Sequence, residues 1–216
     1  MLNDTTNNYM KACETWRLKF LDMNKQQLME KLPEIKTEAD NLTLKLFGRK
    51  FGIHTQTGKI VTFEDFQPAD IISQLNIYTL FGFASPLAYF KDKWIPFREL
   101  SGASPFTKAF EKHVLDPFAQ TFSGQPEKLS KACEALGGVN LTHSDAGCLL
   151  NAFDCMPMKF LFWDRDDEFP AQANILYDDS ATDFIHVEST VSIAVEGILR
   201  LAETAKIEIK GPLFQM

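Results

Sequence analysis

The sequence predicts an α+β fold: mostly antiparallel sheet packed with about five helices in a single compact unit. Apolar residues change period along the chain, from three- and four-residue steps to strict alternation and back, which marks helices and strands in turn. The order of segments is helix, meander, helices, strands, helix. It lacks regular β-α-β alternation, which disfavours a doubly wound nucleotide fold. With 216 residues, 45% hydrophobic and 24% charged, the chain suits one large core, and no repeat, low-complexity run or composition shift marks a linker.

Residues 6–31 form a helical N-terminal segment, one helix or two, because Tyr9, Ala12, Cys13, Trp16, Phe20 and Met23 recur at helical spacing and Pro33 closes the run. A small β meander is expected over 34–63, where Leu42, Leu44 and Leu46 alternate, Phe51 and Ile53 continue, and Gly48, Gly52 and Thr57-Gly58 supply turns. The middle, 68–136, is helical. Pro68-Ala69-Asp70 opens a deeply packed helix to about Phe83. Residues 86–100 are an extended link. Pro105 to Phe122 carries Phe106, Phe110, Val114 and Phe118 at four-residue steps, and Pro117 should kink or end it. Pro126 to Leu136 stops at Gly137-Gly138. The C-terminal part, 148–205, holds strands near 148–153 and 158–163, a short apolar run Ile175-Leu176-Tyr177, and a helix from about Val187 to Ala205.

A net charge of −7 and a pI near 5.1, with no basic stripe, argue against nucleic acid as a partner. No apolar stretch approaches the roughly 18 residues of a spanning helix, so no membrane role is expected. The N-terminus lacks the pattern of a secretion signal, which makes the cytoplasm the expected location. Cys13, Cys133, Cys148 and Cys155 contain no C-x-x-C and no cluster-binding run; Cys148 and Cys155 could face each other across a hairpin, but the plain reading is small apolar residues in a reducing compartment. H-E-x-x-H, G-x-S-x-G, P-loop and G-x-G-x-x-G patterns are all missing.

The richest stretch is acidic. Phe160-Leu161-Phe162-Trp163 stops at Asp164-Arg165-Asp166-Asp167-Glu168-Phe169-Pro170, and Ile175-Leu176-Tyr177 stops at Asp178-Asp179-Ser180-Ala181-Thr182-Asp183. Two buried strands that both end in carboxylates are expected to gather those groups at one sheet edge. Asp164, Asp166, Asp167, Asp178 and Asp183 then offer oxygen ligands for Mg²⁺ or Ca²⁺. Asp167 or Glu168, raised in pKa by burial beside Trp163 and Phe169, is a candidate general base. The plain alternative is that these carboxylates cap turns and keep a sheet edge soluble. His186 and Glu188 stand where the final helix begins, so His186 is either a tuned acid or base or a simple cap. The aromatic residues between Tyr78 and Phe110, Trp94 among them, line either a cleft for a flat ligand, with Arg98 anchoring its carboxylate, or ordinary core; Glu99 adjoins Arg98.

Trp94-Ile95-Pro96-Phe97-Arg98-Glu99-Leu100-Ser101-Gly102, Gly137-Gly138, Asp167-Glu168-Phe169-Pro170-Ala171, Ile175-Leu176-Tyr177-Asp178, Ser180-Ala181 and Glu188 together resemble an uncharacterised domain family of anaerobic bacteria and archaea, over roughly residues 10–204. Some members of that family are joined to a short four-cysteine iron-sulfur module. The resemblance implies a redox or corrinoid-related setting and points to Arg98, Glu99, Asp167, Glu168, Asp178, Ser180 and Glu188. This chain carries no such cluster motif, so electron transfer would need a separate redox partner protein.

The resulting expectation is a protein that binds a small molecule or cofactor of anaerobic redox or cofactor metabolism, at a cleft between the aromatic helices and the acidic edge, through Trp94, Arg98, Glu99, Trp163, Asp178, Ser180 and Glu188. The alternatives are an enzyme using the acidic cluster as base or metal site, and an interaction protein whose acidic loop docks on a basic partner.

Overall fold

The computed structural model describes residues 2–214. Helices α1 (Leu2–Asp22) and α2 (Lys25–Lys31) are separated where Asn24 turns the chain; its Oδ1 accepts the backbone N–H groups of Gln26 and Gln27 at 3.0 and 3.1 Å, an N-cap that restarts the helix. Strands β1 (Lys36–Glu38), β2 (Asn41–Leu46), β3 (Arg49–His54) and β4 (Ile60–Thr62) then pair in chain order as an antiparallel meander. Its central hairpin turns at Phe47 and Gly48, both at positive φ. Phe47 tolerates that conformation because its ring is buried and its N–H donates at 2.9 Å to Ala152 O of the second sheet.

Helix α3 (Ile71–Phe83) is capped by Asp70, whose Oδ1 accepts Ser73 N–H at 2.9 Å. The expected extended link contains β5 (Trp94–Pro96), an edge strand, which is where a proline is tolerated. Two 3₁₀ turns lead to α4 (Thr107–Phe110), a wide π turn (Glu111–Leu115) and α5 (Asp116–Phe122). The chain therefore stays helical through Pro117. The proline withholds the N–H that would bond His113 O one turn earlier, and Phe214 N–H from the C-terminal segment supplies it at 2.9 Å.

After α6 (Pro126–Ala135) come β6 (Val139–Asn140), β7 (Ala146–Phe153), β8 (Met156–Trp163) and β9 (Gln172–Asp178), which with β5 form an antiparallel sheet of order β5-β9-β8-β7-β6. Helices α7 (Ala181–Phe184) and α8 (Val187–Ala205) complete a single α+β unit. No helix among the described residues is long and apolar enough to cross a membrane.

Helix α8 organises the core. A Cβ added at Gly197 would lie 2.5 Å from Phe160 Cζ on β8 and 2.8 Å from Phe47 Cζ, so the helix backbone rests directly on a ring from each sheet. Helix α3 lies beside α8, with α1 outside it. The aromatic series between residues 78 and 110 does not form one cleft. Tyr78, Phe81, Phe97 and Phe110 are core, the last two stacked at 4.0 Å, whereas Leu87, Tyr89 and Phe90 project from the loop before β5.

The cysteines also depart from expectation. Cys133 of α6 and Cys148 of β7 are joined in a buried disulfide, with Cα atoms 6.0 Å apart, while Cys13 and Cys155 are free. Cys148 does not face Cys155: across the β7–β8 hairpin it pairs with Phe160, while Cys155 lies in the turn, and α6 folds back against β7 at Gly138, whose N–H donates to Cys133 O at 2.8 Å.

Candidate functional site

The acidic stretches do not meet. Strands β8 and β9 form an antiparallel hairpin, in which Trp163 pairs with Gln172 and Met158 with Tyr177. Asp164–Phe169 therefore caps one end of the sheet, and Asp178–Asp183 leaves from the other, a separation of roughly 20 Å for a seven-residue strand. Successive strands of a hairpin run in opposite directions, so their ends alternate between edges; the expected single acidic edge is corrected on that ground. Among the described residues no three His, Cys, Asp or Glu side chains gather to hold a metal ion.

Most of the acidic groups have local work. At the hairpin tip, Asp164 Oδ1 accepts Gly124 and Arg165 N–H, both at 2.8 Å, and Asp164 N–H donates to Asp145 Oδ2 at 2.7 Å. Asp166 Oδ1 accepts Glu168 and Phe169 N–H at 2.8 and 2.7 Å, an Asx turn whose bonds hold its carboxyl below the usual range. Asp167, Glu168 and Phe169 face outward, and Trp163 and Phe169 are themselves exposed, so the enclosure expected around a general base is absent.

At the opposite end Asp178 is only 3% exposed. Its carboxylate accepts Lys91 N–H at 3.0 Å, Lys93 N–H at 2.9 Å and Ser180 N–H at 3.0 Å, together with the Ser180 hydroxyl. Burial alone would raise its pKa, but these donors outweigh burial and lower it. The group staples the 85–93 loop onto β9. Asp183 and Asp179 assist through Lys91 and Lys93 at 3.1 and 3.5 Å. Asp178 and Ser180 are thereby committed to protein partners, whereas Asp183 meets Lys91 with much of its carboxylate still exposed.

Trp94 pairs with Asp178 in the β5–β9 register and stacks under Lys159, 4.1 Å from its ring. Arg98 lies further along, toward Asn174, beside a hollow of only 20 Å³ that also involves Thr107 and Glu111. That space admits about one water. Arg98 and Glu99 are exposed and 3.8 Å apart. His186 is the N-cap of α8, its Nδ1 accepting Glu188 N–H at 3.4 Å, and its ring packs 5.2 Å from Phe83. The guanidinium and the two acidic strand ends therefore share no cavity.

A larger concavity lies elsewhere. A cleft of 540 Å³ opens where the β2–β3 turn, the end of α6 and the last turns of α8 meet, floored by Phe47 and Leu136. Lys45, Arg49 and Arg200 reach it, with Glu64 and Glu203. Arg200 is largely buried; burial, then the neighbouring Arg49, pull its pKa below the ordinary guanidinium value, yet it remains charged. Glu203 serves both guanidinium groups, 2.9 Å from Arg200 and 3.4 Å from Arg49, while itself 62% exposed. No local pattern flags this site, because its residues lie in a hairpin turn and a helix end more than 150 positions apart.

Behind the cleft, α3 and α8 meet through a buried polar cluster that the periodicity also passed over. Glu196, 5% exposed, places Oε1 2.6 Å from Ser73 Oγ and accepts Asn76 Nδ2–H on Oε2 at 2.7 Å; the Ser192 hydroxyl donates to Asn76 Oδ1. Burial raises the Glu196 pKa to about 7. Ser73 and Asn76 three apart, and Ser192 and Glu196 four apart, were the available signal: polar pairs on the faces that pack together.

A family model described as a domain of unknown function (DUF3786) matches residues 27–199, which span both sheets and most of α8. No curated protein and no solved structure matches the chain.

Proposed function

The chain belongs to the family described as a domain of unknown function (DUF3786), and on that premise we propose that it binds a small polar molecule bearing a carboxylate or phosphate group in the cleft of Lys45, Arg49 and Arg200. One observation carries this reading. In a chain of net charge −7, two guanidinium groups converge on a 540 Å³ space and share one exposed carboxylate, that of Glu203. Glu203 holds both guanidinium groups from the solvent side, so a ligand anion that makes bidentate bonds to the same groups competes with a carboxylate free to swing into water. The volume suits a metabolite-sized molecule.

Calorimetric titration with inorganic pyrophosphate and with citrate tests it. Binding should weaken at least tenfold, about 1.4 kcal/mol, in Arg200→Gln and in Arg49→Gln, and tighten in Glu203→Gln. Absence of binding by either anion, or affinity indifferent to all three substitutions, overturns the reading. Native mass spectrometry of protein purified without oxygen extends the test to any retained cofactor.

The hairpin tip supports a second reading, docking on a basic partner. Asp164 and Asp166 are occupied by backbone N–H groups, which leaves Asp167 and Glu168 displayed on a rigid turn beside an exposed Phe169.

A further inference from the structure

We propose that Glu196 is a proton-binding site that locks α3 to α8: its neutral carboxyl donates to Ser73 Oγ, Ser73 passes the hydrogen bond to Asp70 at the surface, and loss of the proton unlocks the pair. One hydroxyl stands between two carboxyl oxygens. Ser73 Oγ lies 2.6 Å from Glu196 Oε1 and 2.8 Å from Asp70 Oδ2. A hydroxyl carries one hydrogen and can satisfy only one of two carboxylate oxygens. Asp70 is exposed and also accepts Ser73 N–H on Oδ1 as the N-cap of α3. The second hydrogen is assigned to Glu196, the buried one of the two carboxyls, because exposed Asp70 can draw on water instead. Further along, Ser192 Oγ meets both Asn76 Oδ1 and, at 3.0 Å, Ser189 O of its own helix, and Asn76 Nδ2 donates to Glu196 Oε2. Turning the Asn76 amide over would set its Oδ1 against Oε2 and leave the shortage in place.

The electrostatic surroundings agree. Burial is the main cause of the raised Glu196 pKa; the Ser73 and Asn76 contacts oppose it, Asp70 at the entry to α3 adds to it, and Arg200 one turn along α8 opposes it. The charged groups that bear on it are thus Asp70, from the cap of the neighbouring helix, and Arg200 on its own helix. The proton has a route to water, since Ser73 links the buried carboxyl directly to exposed Asp70. Once Glu196 is ionised, two carboxylates compete for a single hydroxyl across the α3–α8 contact, and the interlock weakens.

Nuclear magnetic resonance titration of glutamate side-chain carboxyl carbons in the full chain tests the proposal. One resonance, absent from Glu196→Gln, should titrate near neutrality. Over the same pH range the urea midpoint of the wild-type chain should fall, and that of Glu196→Gln, whose amide mimics the protonated acid, should stay level. A Glu196 resonance that titrates in the ordinary carboxylate range overturns the proposal, as do parallel pH–stability profiles for the two proteins. If Glu196→Gln does not fold, assignment of the wild-type resonance through its Glu196 backbone decides the matter alone.

Discussion

Asp178 and Glu196 are buried to nearly the same degree, 3% and 5% exposed, yet their pKa values shift in opposite directions. Asp178 sits at a strand end where Lys91, Lys93 and Ser180 present three backbone N–H groups and a hydroxyl, and the anion is favoured. Glu196 sits mid-helix, where backbone N–H groups are already used within α8; it meets one amide and a hydroxyl shared with Asp70, and the acid is favoured. Burial sets the stakes, and the supply of donors decides the outcome.

The largest effect is expected at Asp178. Asp178→Ala should cost about 3–5 kcal/mol in urea denaturation, because it strands buried donors and frees the 85–93 loop. The pH profile then separates the two groups. The lowered Asp178 pKa contributes stability that is present above the unfolded value near 3.8 and lost as pH falls through the folded one. The raised Glu196 pKa works the other way: its contribution is complete below the unfolded value near 4.5 and lost as pH rises to about 7, at most about 3 kcal/mol. Asp178→Ala should flatten the acid limb and Glu196→Gln the neutral limb. Ser73→Ala, which removes the shared hydroxyl but keeps the Asp70 cap, should cost about 1–2 kcal/mol by the same measurement. The smallest effect is expected at the hairpin tip: Asp167→Asn with Glu168→Gln should shift stability by no more than about 0.5 kcal/mol while weakening salt-sensitive capture of a basic partner.

Much of the architecture is legible in the residue pattern. Alternation at Leu42, Leu44 and Leu46 announces the meander, and α8 begins and ends where its apolar face does. Strands β5 and β6 are three and two residues long, too short to establish a period, and they exist only because β9 and β7 pair with them. The helix through Pro117 depends on Phe214, a partner that no local window contains. For the site, the residue types at 164–183 are conspicuous, but their meaning rests on strand direction, and antiparallel pairing moves the two acidic runs apart. Arg49 and Arg200 are ordinary surface cations until the fold brings them to one carboxylate.

The Cys133–Cys148 bond stands two residues before Ala135–Gly137, which form one wall of the Arg49–Arg200 cleft. That wall is therefore tethered covalently to β7 and does not rely on helix packing alone. Both sulfurs lie in fully buried residues, so a reductant in a purification buffer reaches the bond only when the native packing opens, and a solute meets the same cleft mouth with or without brief thiol treatment.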